Sequence, residues 1–390
     1  MIAPARPRRP LAALLPALLS LVPGCSSAAT APGCTLVESG FGPRGEVPMR
    51  VERVASGLTV PWGLAFLPGG DALLTERPGR IRLLRAGKLD AAPVSAIDVG
   101  EQGEGGLLGI AADPRFSDNR RFYVYSTAGK GGRNVNRLVR WILAPDARSA
   151  REDKVLLDDV AAESYHAGGR IRFGPDGMLY VGTGDAGRPA RSQDRGGPNG
   201  KILRLTTEGE PAPGNPFPGS PAFVLGVRNV EAFDWLDDGT LVIADHGPSG
   251  EMGRTGHDEI SVARAGANLG WPDIHGCQAK EGMVSPLLAF RQSMPPGGGS
   301  IYRGDAIPAW KGSFLVGTLR SRHLHRVQLS PDGRVAHHET YLLGDPPGGL
   351  GRLREVQQGP DGALWLTTSN CDGRGTCPEE RDVVVRIVGR

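Results

Sequence analysis

The sequence predicts an all-β fold, a six-bladed β-propeller of four-stranded antiparallel blades, on three observations. Glycine and proline are abundant, 58 and 33 of 390 residues, and they punctuate short apolar runs, the pattern of many strands joined by tight turns. A similar unit recurs along the chain, in which an apolar residue, a Pro or Asp and an Asp-Gly or Gly-Gly turn lead into alternating apolar residues. No stretch of helical period extends beyond three turns. The 39% apolar content and balanced charge exclude disorder, and glycine does not fall at every third position as collagen requires.

The chain opens with Arg6, Arg8 and Arg9, an apolar run from Leu11 to Val22, and Pro23-Gly24-Cys25. A basic start, a short apolar core and a small-residue break predict an export signal over residues 1–24, too short and too proline-broken to span a membrane. Val22 to Cys25 resembles a bacterial lipobox, so Cys25 is expected to carry lipid and to anchor an exported protein, periplasmic or at the cell surface, without spanning the bilayer. The whole formal charge of +3 is matched by the three leader arginines, leaving the exported chain formally neutral. Such a chain lacks the concentrated basic face of a nucleic-acid binder. Residues 25–45 read as a flexible tether, followed by one propeller domain over 46–390.

Four cysteines remain after Cys25, an even number for an oxidising compartment. Cys371 and Cys377 are close enough to bridge locally, which would leave Cys34 with Cys277, although four cysteines allow three pairings.

The repeated unit occurs at Phe66-Leu-Pro-Gly-Gly-Asp71, Phe173-Gly-Pro-Asp-Gly177, Trp235-Leu-Asp-Asp-Gly239, Leu329-Ser-Pro-Asp-Gly333 and Gln358-Gly-Pro-Asp-Gly362. A variant with a longer turn starts at Asp113. Glycine accepts the positive φ that a tight hairpin needs. Six units at about 60 residues each imply six blades with long loops, and a two-sheet sandwich would not need so many. The final strand, Asp382 to Val388, is expected to pair with the segment near Arg50 to Val54 and close the ring.

Four loop segments concentrate polar groups. His166, beside Gly168 and Gly169, is approachable, and its ordinary near-neutral pKa suits a general base; a loop histidine bonded to backbone is the plainer alternative. Arg228 with Asn229 offers a fork and an amide for a carboxylate or a carbonyl, or for a structural ion pair. Gly247-Pro248 leaves carbonyl oxygens for a hard cation such as Ca2+. Arg352 and Arg354 alternate onto one strand face, where they suit a polycarboxylate or are simply solvated.

In their order along the chain these segments resemble the soluble aldose (glucose/sorbosone) dehydrogenases that use pyrroloquinoline quinone, PQQ. Further marks are Gly103-Glu-Gly-Gly-Leu-Leu-Gly109, Gly200-Lys-Ile-Leu-Arg-Leu205, Asn268 to Pro272 and Trp310-Lys-Gly312. The resemblance implies oxidation of an aldose at C1 to a lactone. His166 would be the base and Arg228 would lie beside the reactive carbonyl. Glu104, Asn229, Arg320, Arg352 and Arg354 would contact PQQ, and the carbonyls of Gly247 and Pro248 would hold Ca2+. It leaves the electron acceptor open.

There are departures. Tyr165 stands where an Asp precedes the histidine, so a carboxylate to tune the base is expected to be absent. Glu104 replaces a Gln, Arg320 a Lys, and Val230-Glu231 a Pro-Gln. Gly253 to His257 is an insertion at the expected pocket rim. Two other classes remain to be tested: a Ca2+-dependent propeller lactonase or other hydrolase, and a non-catalytic propeller that binds a sugar or a protein.

Overall fold

The computed structural model describes residues 1–3, 31–100 and 102–390. Cys25 and all but the first three residues of the expected export signal lie outside the described residues.

Six sheets form a ring. The first blade holds Pro61–Phe66, Ala72–Glu76, Arg80–Arg85 and Lys88–Leu89, with Ser95–Ala96 as an extra edge. The second holds Leu107–Ala112, Arg121–Lys130, Arg133–Leu143 and Ala150–Ala161, and the third Gly168–Phe173, Leu179–Thr183, Lys201–Leu205 and Ala222–Leu225. The fourth holds Val230–Trp235, Leu241–Asp245, Asp258–Ala263 and Leu288–Phe290, and the fifth Pro296–Ile301, Phe314–Thr318, Leu324–Leu329 and Val335–Tyr341. The sixth combines Leu353–Gln358, Leu364–Thr368 and Asp382–Gly389 with the early strand Met49–Leu58. The expected closure is present: Met49 pairs with Gly389 and Arg53 with Val385, antiparallel.

The first strand of each blade lies on the axis and touches the first strands of both neighbouring blades, so the six complete a circle. Each second strand is covered on both faces; Leu241–Asp245, Phe314–Thr318 and Leu364–Thr368 are buried throughout. The alternation expected after the turns is therefore corrected in these strands, whose two covered faces make them continuous buried runs. Outermost strands such as Ala150–Ala161 are largely exposed. The core divides into six clusters, one per blade interface; Phe233, Trp235 and Ile243, for example, pack on Tyr180, Ile202 and Val224 between the third and fourth blades.

The predicted turns share one geometry. In Gly174–Met178, Gly174 N–H donates to Met178 O and Gly177 N–H to Gly174 O, each at 2.9 Å, with Gly177 at φ 73°. The same pair of bonds recurs at Leu67–Asp71, Leu236–Thr240, Ser330–Arg334 and Gly359–Ala363. Four of these join the first two strands of a blade. The Ser330–Arg334 turn instead joins the outer two strands of the fifth blade, whose inner hairpin turns through Tyr302 to Ser313. The blade number therefore agrees with the sequence reading, while one unit occupies a different place within its blade.

The flexible tether expected over 25–45 is corrected from residue 31 onward. Cys34 is bonded to Cys277, Thr35–Val37 adds a parallel edge strand to the fourth blade, and Gly45 N–H donates to Thr340 O. The second disulfide joins Cys371 to Cys377. Both pairings are the ones reached by taking the local bridge first.

Candidate active site

The loops that enter the inner strands of blades two to six converge at one mouth of the ring, around a cavity of 720 Å3. Its lining gathers Glu104, His166, Arg228, Arg320, Arg352 and Arg354 from segments up to 250 residues apart. Five arginines meet three glutamates there, Arg374, Glu231 and Glu251 completing the set. The cavity is thus biased toward anionic ligands.

His166 sits at φ 59°, in the left-handed region that few residues other than glycine adopt. The surrounding backbone leaves no slack. A Cβ on Gly184 would lie 1.9 Å from His166 O, and one on Gly103 would lie 1.9 Å from Ser164 O. The His166 N–H donates to Glu104 Oε2 at 2.8 Å. Strain held in place by so many neighbours is characteristic of functional positions. The imidazole is buried, with Nδ1 2.6 Å from Asp185 Oδ1. Asp185 is itself fixed by the Trp271 indole N–H at 2.9 Å and the Gly187 N–H at 2.8 Å.

An aspartate that engages Nδ1 orients the ring and leaves Nε2 to face the cavity. The expectation that no carboxylate would tune this histidine is therefore corrected: it arrives from Asp185, nineteen residues downstream, rather than from position 165. Tyr165 instead stands partly exposed at the rim, its ring edge-on to His166 with centroids 4.6 Å apart.

Arg228 is buried beside the histidine. Its N–H and that of Asn229 both donate to the Asp245 carboxylate, at 2.7 and 2.8 Å, and its guanidinium lies 5.7 Å from the Trp271 ring centre. Arg352 is held by Asp372 through two bonds of 2.9 and 2.7 Å, while Arg354 pairs with Glu231. Beneath them Trp62 lies under the guanidinium groups of Arg170 and Arg354, at 4.5 and 5.7 Å. Glu104 also accepts from Arg374 at 2.8 Å. Burial alone would raise the Glu104 pKa, but the Arg374 hydrogen bond and the charges of His246 and Arg374 outweigh it and hold it at about 2.

Asn229 and the Gly247-Pro248 pair lie off the cavity lining, whereas Arg320 is part of it. Asn229 does not line the cavity: its Oδ1 accepts the Gly168 N–H at 2.8 Å and its amide reaches Glu231, so it braces the histidine loop. Gly247 and Pro248 are buried directly behind the rim residues Ser249 to Glu251. Arg320 stands exposed at the mouth and forms no ion pair among the described residues.

Asp185, Glu251, Asp372 and Arg374 were not singled out from sequence. Asp372 and Arg374 lie between Cys371 and Cys377, so two charges inside a short disulfide loop were the available signal. Asp185 lies in the glycine-rich Gly182 to Gly187 segment.

The donor set suits a polycarboxylate. Arg228 Nε and Arg354 Nε are buried without a hydrogen-bond partner among the described residues, and Arg320 adds a cation with no acid paired to it there. No described residue donates a hydrogen bond to the Gly247 carbonyl, and the Pro248 carbonyl, which faces the Gly256 N–H across the Ser249–Thr255 bridge, keeps a second lone pair, so both remain able to ligate a hard cation. Among the described residues no three His, Cys, Asp or Glu side chains form a metal-holding group. The candidate ion ligands here are the backbone oxygens of Gly247 and Pro248, whereas the hydrolase alternative needs side-chain carboxylates and asparagines.

A family model described as glucose/sorbosone dehydrogenase matches residues 58–377. The aldose sugar dehydrogenase of Escherichia coli is 30% identical over 83% of this chain and 91% of its own length. An uncharacterised Synechocystis protein is 31% identical over 82% of this chain and 84% of its own. Among solved structures, an oxidoreductase of Thermus thermophilus described as a glucose dehydrogenase superposes with TM-score 0.79 at 44% identity, covering 87% of this chain and all of that one. The PQQ-bound aldose sugar dehydrogenase of Streptomyces coelicolor gives 0.79 at 35% identity, covering 90% of this chain and all of that one.

Proposed function

The chain belongs to the glucose/sorbosone dehydrogenase family, and from that premise we propose that it is a PQQ- and Ca2+-dependent dehydrogenase that oxidises aldose sugars at C1 to lactones. The observation that carries this reading is the pairing of an oriented, strained histidine with five arginines around one cavity. Arg352, Arg354 and Arg320 would hold the carboxylates of PQQ, Arg228 would face its reactive carbonyl, and the Gly247 and Pro248 carbonyls would hold Ca2+. When bound, PQQ supplies the two-electron acceptor and Ca2+ polarises it.

The protein's own part is acid–base and positional. His166 Nε2 takes the proton of the C1 hydroxyl while Asp185 keeps Nδ1–H oriented and supports the charge the ring gains. Loss of that proton together with the C1 hydride leaves the lactone. A guanidinium beside a carbonyl oxygen stabilises the negative charge that builds there. Glu104 keeps the histidine backbone in its left-handed conformation.

Export and a lipid anchor at Cys25 belong to the same proposal, supported by the leader composition and by two disulfides. The test is reconstitution of the apo-protein with PQQ and Ca2+, followed by dye reduction with a panel of aldoses. Aldose-dependent reduction with lactone as product is expected; no spectral change on adding PQQ would overturn the reading. Intact mass of the exported protein checks the anchor, which fails without an acyl increment on Cys25.

A further inference from the structure

Glu251 is an acid at the heart of the pocket that the proposed reaction does not use. It lies on the short protrusion Ser249 to Thr255, and its Oε1 is 2.5 Å from Arg228 Nη2 and 3.4 Å from His166 Nε2. Its other oxygen accepts the Ser249 N–H at 2.5 Å. One carboxylate oxygen thus occupies the gap between the histidine nitrogen left facing the cavity and the guanidinium beside it. A sugar hydroxyl giving its proton to Nε2, and a quinone oxygen meeting Arg228, need that same space.

The protrusion is built to move as a unit. Gly250 and Gly253 flank the acid at φ 126° and 71°, conformations that glycine adopts without steric cost. A bridge between Ser249 and Thr255 closes its base, and Arg254 ties it to the Pro272 carbonyl at 3.2 Å. Met252, at the tip, is 54% exposed, so no core packing fixes the tip. Glu251, its side chain 23% exposed, is held inward by its ion pair with Arg228 and its approach to His166, and the Arg254 bond to Pro272 is the one further tie given above that an outward swing would break.

We propose that Glu251 is a displaceable internal counter-ion: it closes the pocket of the unloaded protein, and the protrusion must swing it off Arg228 before an anionic cofactor docks. This rests on the PQQ reading above. Apparent affinity falls by the fraction of molecules that are open, so freeing Arg228 strengthens binding without adding a contact.

The test titrates wild type, E251Q and E251A with PQQ in the presence of Ca2+ and follows quenching of tryptophan fluorescence, Trp271 lying beside Arg228. Both variants are expected to bind about tenfold more tightly. In stopped flow, the wild-type association rate is expected to level off with PQQ concentration because opening comes first, and the E251Q rate to rise linearly. Equal or weaker binding in both variants overturns the inference, as does a linear wild-type rate, which would reduce Glu251 to a simple repulsive charge. Binding to wild type that the variants do not improve leaves the cofactor reading standing and removes this one. Binding to none of the three overturns both.

Discussion

The two mouths of the ring are close in size, 720 and 680 Å3; the inner strands of all six blades line the second, whereas the loops of blades two to six build the first. Their chemistry differs. The mouth where the strands begin collects five arginines against three glutamates, with a histidine held in left-handed backbone. Where the strands end, Arg170, Arg172 and Arg303 balance Asp234, Asp237 and Glu355, and no non-glycine lining residue has positive φ among those described. Each of those arginines contacts an acid: Arg170 and Arg172 contact Glu355, and Arg303 contacts Asp234. Both mouths also contain buried polar atoms without partners among the described residues, Arg172 Nε and Ser300 Oγ at the second. Neither size nor unmet hydrogen bonds separate them. Surplus charge and strained backbone do.

The largest effect expected from breaking this contrast is at His166. His166→Ala should lower turnover by about 10³-fold while PQQ binding persists; dye-reduction kinetics with a parallel binding titration would show it, and retained turnover would remove the base assignment. Asp185→Asn keeps the shape but not the charge, so turnover should fall about 10²-fold with little change in KM. A change confined to KM would make Asp185 a matter of binding. Replacing Arg352 and Arg354 together by alanine should weaken PQQ retention about 30-fold, and an unchanged dissociation constant would refute their role.

A buried pair of histidines in the fifth blade, lining neither cavity, offers a stability test. Burial holds His323 at about 4 and pushes His325 well below the ordinary value. The unfolded chain therefore takes up protons first as pH falls below about 6.5, and stability is lost between there and about 4. His323 alone should account for ~2 kcal/mol between pH 7 and pH 5. Thermal unfolding at the two pH values checks this; an unchanged Tm would contradict it. Least affected should be the opposite mouth, where Arg303→Ala is expected to leave kcat within about twofold, because nothing there touches the reacting atoms.

Much of the fold was legible because its signals are local. An Asp-Gly turn and the apolar run after it lie within ten residues, and the turn's two hydrogen bonds follow from glycine's reach into positive φ. The closing strand was legible because Asp382 to Val388 had no other partner to expect. The exception is the fifth blade, where the same turn chemistry serves an outer hairpin, since a turn motif specifies a reversal and not its rank in the blade. In the pocket, residues carried by continuous motifs, such as His166, Arg228 and Arg352, were readable. Asp185 and Glu251 were not, because Asp185 meets the histidine only once the first hairpin of the third blade pairs, and Glu251 only once the fourth blade packs beside it. A histidine's partner at Nδ1 is a fact of three-dimensional packing, and position 165 was the wrong place to look for it.

Anaerobic single-turnover reduction probes most closely whether this mouth holds PQQ with His166 as base. Wild type and His166→Ala are loaded with PQQ and Ca2+, mixed with an aldose, and followed by the absorbance of the oxidised cofactor. Rapid loss of that absorbance is expected in wild type, with a decay slowed about 10³-fold in an equally loaded variant. Equal rates in the two proteins, or no decay in wild type with any aldose, would contradict it.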